Sequence, residues 1–177
     1  NTQITDPAVI PEGSTLWQDV KGISDIYITD GVTGISDGVF EYAQNLSSLE
    51  NVYIANTVVS IGENAFAGNS QAHFNGLGQG DEWDLSHVTI GAGAFNGCRG
   101  LQYVDITLSN ERDIGANTFN GCGLGGVTFS GNGGMTSIGE NAFADNNLSD
   151  IDIPDTVTTI KDGAFAGNSF GSITLSD

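Results

Sequence analysis

Positive charge is nearly missing from this chain. Its 177 residues hold four Lys and Arg (Lys21, Arg99, Arg112 and Lys161) against 22 Asp and Glu, for a net charge of −18. Such a surface repels nucleic-acid phosphates and anionic lipid, which argues against nucleic acid and membrane surfaces as partners. It suits cationic partners, neutral glycans or Ca²⁺. A halophilic source would produce the same acid excess. No apolar run approaches the ~20 residues that span a bilayer, so no membrane insertion is expected. Two cysteines are too few for a disulfide scaffold, and two histidines too few for a His-based metal site. No secretory leader is visible, and the chain begins at Asn1 rather than Met, which points to removal of a leader or tag. The motifs of a nucleophile elbow, a helical zinc site and a phosphate loop are all absent. The reading is therefore that the chain is not an enzyme.

What is present is repetition. Ser137-Ile138-Gly139-Glu140-Asn141-Ala142-Phe143 reproduces Ser60-Ile61-Gly62-Glu63-Asn64-Ala65-Phe66 in all seven residue types. Looser copies run Ile35 to Phe40, Ile90 to Phe95, Ile114 to Phe119 and Ile160 to Phe165, all of the form Ile-x-x-[Gly/Asn]-x-Phe. The Ile positions step by 26, 29, 24, 24 and 22 residues, a period that belongs to leucine-rich-repeat solenoids. Each unit has a short alternating strand such as Ile151-Asp152-Ile153, a turn, the Ile-to-Phe segment, and a polar turn leading back to a strand. One copy alone buries neither face. Stacked copies bury Ile and Phe in one core and pair the strands in parallel. Gly62, Gly91, Gly115 and Gly139 mark a site of left-handed backbone or of close approach between coils.

The copy Ile138-Gly139…Phe143…Asn146…Leu148…Ile151-Asp152-Ile153-Pro154 resembles the BspA-type leucine-rich repeats of bacterial and protist surface proteins. The resemblance covers about 23–177. It departs from the pattern in a longer first repeat and at Gly76–Trp83, where an insertion replaces the usual Leu-x-x-Ile. It implies a secreted or cell-surface protein with an adhesion or recognition role, and a repeat without catalytic residues.

The fold expected is an α/β solenoid. It is a right-handed leucine-rich-repeat superhelix with short parallel strands on one face and short helical or 3-10 turns on the other. Residues 1–22, with Leu16, Trp17 and Val20 at roughly helical spacing, are expected as an N-terminal cap, and 23–177 as one domain of about six repeats.

The outward residue of each strand supplies the candidate site. One column reads Tyr27, Tyr53, Asp84, Asp105, Thr128, Asp152 and Thr174, and Tyr103 stands two residues before Asp105. Exposed aromatics beside acids suit a sugar ring or a basic peptide. The ligand-binding candidates are therefore Tyr27, Tyr53, Asp84, Tyr103, Asp105 and Asp152. The plain alternative is a solvated face whose tyrosines serve strand propensity.

Cys98 and Cys122 share a slot, three residues after a Phe, that Asn69, Asn146 and Asn168 fill elsewhere. That slot calls for a small buried group bonded to backbone; a disulfide between the two cysteines is the other option. Asp145-x-Asn147-x-Ser149 opens like a calcium loop but has Asp150 where Gly is needed and Thr156 where Glu is needed, so it is rejected. Gly76-x-Gly78-x-Gly80 is a single, weak calcium-turn likeness. No cofactor is expected beyond adventitious calcium. Asn45-Leu46-Ser47 and Asn147-Leu148-Ser149 are formal glycosylation sequons.

The function these readings favour is a non-catalytic extracellular recognition or adhesion module for a protein or glycan. The alternative is a structural spacer or assembly segment of a larger surface protein. The last coil, with Phe165, Phe170, Ile173 and Leu175 uncovered, is expected to support weak self-association.

Overall fold

The computed structural model describes residues 2–4, 24–41, 49–76, 78–79, 82–102, 105–109 and 111–175. In chain order the strands are β1 Thr2–Ile4, β2 Asp25–Ile28, β3 Gly34–Ile35, β4 Asn51–Ile54 and β5 Ser60–Ile61. Next come β6 His73–Gly76, β7 Gly78–Gln79, β8 Glu82–Leu85, β9 Thr89–Ile90 and β10 Asp105–Ser109. The last are β11 Gly126–Ser130, β12 Ser137–Ile138, β13 Asp152–Ile153, β14 Thr159–Ile160 and β15 Thr174–Leu175.

The strands pair in parallel, coil upon coil, in two rows. In the wide row β1, β2, β4 and β6 are consecutive neighbours, and β8, β10 and β11 form a second run. The narrow row stacks β3, β5 and β9, then β12 on β14. Alternation builds the wide row: in β2 and β4 the outward Asp25, Tyr27, Asn51 and Tyr53 are half-buried, while Ile26, Ile28, Val52 and Ile54 are buried.

The expected core is present. Phe40, Phe66, Phe95, Phe119, Phe143 and Phe165 form one column of parallel rings with centroids 5.2, 5.6, 5.4, 5.7 and 5.6 Å apart. Ile61, Ile114 and Ile138 are buried beside it, and Ile90 is half-buried. Ile160 departs from the expectation, at 42% exposed, and Ile173 is 46% exposed; no described coil follows to cover them.

The helical face is not there. Among the described residues the one helical stretch is a 3-10 turn, Arg99–Leu101. The reason lies in where the backbone N–H groups go. Asn64, Phe66 and Gly68 donate to Ala92, Ala94 and Asn96 of the next coil, and Asn117, Phe119 and Gly121 donate to Glu140, Ala142 and Ala144. Every second amide is thus spent on stacking, and a helix would need them within its own turn. The fourth motif position also breaks a helix. Gly38, Asn64, Gly93, Asn117, Asn141 and Gly163 all have φ between 52° and 66°. That left-handed conformation admits Gly and, next best, Asn, which explains the [Gly/Asn] of the motif.

The conserved-looking Ile-Gly glycines do something else. At Gly62, Gly91 and Gly139 a Cβ would stand 2.5 Å from backbone of the preceding coil. Of the two roles expected for them, close approach is the one realised. The pairing register orders the coils but does not carry the right-handed superhelix expected from the period.

Two further features concern the array's start and middle. β1 pairs with β2 in register, Thr2 opposite Ile26, so the wide sheet begins before residue 23. Leu16, Trp17 and Val20, on which the cap reading rests, lie outside the described residues. The insertion after Gly76 splits one coil's strand in two. β6 pairs back onto β4, β8 pairs forward onto β10, and β7 folds antiparallel against β8.

Candidate functional site

The wide outer face gathers some of the candidate residues and separates others. β2, β4 and β6 place two rows of three side chains outward: Asp25, Asn51 and His73, and beside them Tyr27, Tyr53 and Asn75. The Tyr27 and Tyr53 rings stack with centroids 4.6 Å apart and planes within 2°. Asp25 accepts from Asn51 Nδ2 at 2.8 Å and from Ser24 Oγ at 2.7 Å. These bonds, Ser24 first and then Asn51, hold its carboxyl below the usual value. The Tyr27 hydroxyl is pushed up, first by desolvation and then by the charge on Asp25 and by Tyr53.

The acids do not continue this column. Asn75, on a strand that leads into the insertion and has no place in the column read from the sequence, stands next to Tyr53. Asp84 stands opposite Thr107, and Asp105 opposite Glu82 and Gly126, so these two acids occupy different rows. Asp152 stands opposite Thr174, on another strand pair. Asp84 is engaged locally: its Oδ1 accepts from Ser86 N at 3.0 Å and Ser86 Oγ at 2.6 Å, which lowers its pKa. Tyr103 lies outside the described residues. The signal for β6 was in the chain: Ala72 and Phe74 alternate as Val52 and Ile54 do, and both are buried. Phe74 in place of a β-branched residue hid it.

The insertion brings Phe74 and Trp83 together beneath this face, edge to face at 5.7 Å, and both rings meet Phe95. Gly76, part of the calcium-turn likeness, has φ 97° and sits against the Ile54 carbonyl, where a Cβ would collide. Its glycine is thus explained by packing. His73 Nδ1 lies 3.3 Å from the Glu50 carbonyl, and His87 is exposed. Among the described residues no three His, Cys, Asp or Glu side chains gather to hold a metal ion. The turn face carries a shallow groove of about 490 Å³ lined by Ser36, Asp37, Val59, Ser60 and Glu63.

The Cys/Asn slot is a backbone ladder, as its spacing implied. Asn69, Asn146 and Asn168 donate Nδ2 to the carbonyls of Phe40, Phe119 and Phe143, each one coil back, at 2.7–2.8 Å. Cys98 and Cys122 send their thiols to the Phe66 and Phe95 carbonyls at 3.1 and 3.0 Å. Both thiols are free and buried. Burial pushes the Cys122 thiol up to about 12 and Cys98 well above its ordinary value, with the neighbouring Cys122 adding to the latter.

No helix among the described residues is long and apolar enough to cross a membrane. No curated protein matches the chain significantly. Among solved structures, it is similar to a leucine-rich cell surface protein from Faecalibacterium prausnitzii A2-165, with a TM-score of 0.63 at 24% identity, over 86% of this chain and 48% of that one. A leucine-rich repeat protein from Bacteroides ovatus aligns with a TM-score of 0.49 at 19% identity, over 85% of this chain and 45% of its own. The chain therefore spans about half the length of these two structures, and the likeness to the first of them shows the fold. The family model for the BspA type leucine rich repeat region matches six copies, over residues 11–76 and 84–177. With nearly all of its length so matched, this chain belongs to the BspA-type leucine-rich-repeat family.

Proposed function

We propose that the chain is a non-catalytic recognition module, secreted or held at a cell surface, that binds a protein or glycan ligand through its wide outer sheet face. The observation that carries this reading is the Tyr27–Tyr53 pair, stacked at 4.6 Å with Asp25 and Asn51 hydrogen-bonded beside it. Two stacked, half-buried aromatic rings set among half-buried polar groups offer a ligand an apolar face with hydrogen-bonding groups beside it. The cell-surface description of the Faecalibacterium prausnitzii structure supports the location. No resident cofactor belongs to this reading, and calcium at the surface acids is adventitious. Screening glycan and host-matrix-protein arrays with the wild type and with a Tyr27→Ala/Tyr53→Ala variant tests it. Ligands held by the wild type and lost by the variant support the face; ligands retained by the variant remove it.

A second reading, an assembly segment, draws on the other end of the stack. Ile160 and Ile173 are 42% and 46% exposed, and Phe165 and Phe170 are half-buried. β15 pairs with β13, and its other edge faces away from that strand. This arrangement supports weak self-association through the last coil. Sedimentation at several concentrations tests it: an Ile173→Lys variant is expected to reduce association, and a strict monomer unaffected by that change ends the idea.

A further inference from the structure

The tyrosine pair is a ladder rather than a platform. Non-bonded carbon atoms keep ~3.5–4.0 Å apart, so rings lying flat side by side could not bring their centroids to 4.6 Å. The two rings therefore overlap face on face, and each has one face covered by the other. Tyr53's remaining face looks along the sheet towards β6, where the next side chain is Asn75. Asn75 is shorter than a Tyr, and its amide turns to the His73 carbonyl at 3.3 Å. Above it the ladder of rings stops, leaving a ledge one ring thick.

Acids lie in the strands around the ledge, Asp25 in the row beside Tyr27 and Asp84 on β8. β6 and β8 belong to separate sheets, linked from below by Phe74 and Trp83 at 5.7 Å. Asp84 follows Trp83 and is exposed on the outer side, with both Ser86 bonds falling on Oδ1. From Ile23 to Cys98 the chain has nine acids and no Lys or Arg. Arg99 stands just beyond this stretch, on the 3-10 turn that packs against β6, and the acids of the stretch outnumber it, so a further cation from a partner is favoured there.

We propose that the open face of Tyr53, over Asn75, takes the guanidinium of an arginine presented by a protein partner. A guanidinium is planar and thin enough to form the next rung of the ladder. It stacks on an aromatic face while its edge donates to a carboxylate, which an ammonium does less well. A neutral sugar would use the same ring face and donate hydroxyls to nearby acids, but would gain no charge attraction from them. This inference rests on the sheet-face reading above.

The test titrates hexa-arginine, hexa-lysine and maltohexaose into the whole chain by calorimetry. Hexa-arginine is expected to bind more tightly than hexa-lysine. Tyr53→Ala is expected to weaken it about ten-fold, and Tyr53→Phe to leave it unchanged. Asn75→Leu, which covers the open face of Tyr53 with an aliphatic side chain and offers no ring of its own, is expected to weaken it as strongly as Tyr53→Ala, and Asp162→Asn, an exposed acid on the turn face, to leave it unchanged. Equal binding of the two peptides, or equal small losses in Tyr53→Ala and Asp162→Asn, would mean diffuse charge attraction and would overturn the arginine slot. Maltohexaose binding that depends on Tyr53, with peptide binding that does not, would overturn the arginine slot and leave the sheet face standing. If neither depends on Tyr53, while an array ligand is lost in the Tyr27→Ala/Tyr53→Ala variant, the slot alone falls; if no ligand depends on either tyrosine, both proposals fall.

Discussion

Asn146 donates its side-chain amide to the Phe119 carbonyl, 2.8 Å away and one coil back. Its Oδ1 accepts the Leu124 N–H at 2.9 Å, so one side chain satisfies two buried backbone groups of the preceding coil. Asn146→Ala would leave both groups unpaired and should cost ~1–3 kcal/mol. Asn146→Cys should cost less, because Cys98 and Cys122 make the donor half of the same contact. Urea unfolding of the three proteins measures both differences.

The Phe column and the two glycine-type positions separate three kinds of constraint. Phe119→Ala opens a cavity between Phe95 and Phe143 and should cost ~3–5 kcal/mol. Gly139→Ala places a Cβ 2.5 Å from the Gly115 carbonyl carbon and should cost ~1–3 kcal/mol through overpacking. Asn141→Ala meets no such wall but must hold φ near 52°, for ~1–2 kcal/mol, and Asn141→Gly should be nearly neutral. If Asn141→Gly proved as damaging as Asn141→Ala, the conformational explanation of the motif would be wrong.

The core of this fold was readable because its signal is periodic. Six copies of Ile-x-x-[Gly/Asn]-x-Phe imply the Phe column, and the shared Cys/Asn slot implies the carbonyl ladder. The helical or 3-10 turn face belongs to the expected leucine-rich-repeat fold and not to a period in these segments, since residues five apart lie about 140° apart around a helix rather than on one face. What decides against a helix is the left-handed residue at the fourth position, and the [Gly/Asn] choice there was the clue. The site was half legible. Tyr27 and Tyr53 are neighbours because their coils are regular, whereas the acids fall out of that column because Asn75 takes the place next to Tyr53 and β8 pairs with β10 two residues away from an Asp84–Asp105 register. Which strand an inserted segment pairs with depends on distant coils, and local alternation does not record it.

Acid should loosen the stack at defined carboxylates. The backbone N–H groups of Thr136 and then Ser137, at 2.7 and 2.8 Å, hold Asp113 below its ordinary value, and Ser86 does the same for Asp84. A pKa lower in the folded state than in the unfolded one adds stability above the unfolded value, ~3.9, and loses it as pH falls through the folded one. The melting temperature should therefore drop below about pH 4, and Asp113→Asn should make that drop shallower while lowering stability at pH 7.

The thiols should be inert in the folded chain. Buried, bonded to carbonyls and with Cys122 pushed up to about 12, they offer almost no thiolate at neutral pH. A disulfide-exchange reagent should titrate no thiol in the native protein and two after unfolding without reductant. Finding none after unfolding would establish the bridged alternative.

Side-chain oxidation footprinting, with and without the tightest ligand from glycan and peptide arrays, tests the central claim most directly. Tyr27 and Tyr53 lie on the wide sheet face, and Val59, 50% exposed, lines the groove on the turn face. The account expects bound ligand to slow oxidation of both tyrosines and to leave Val59 unchanged. Protection of Val59 with unaltered tyrosines would contradict it and move recognition to the turn face.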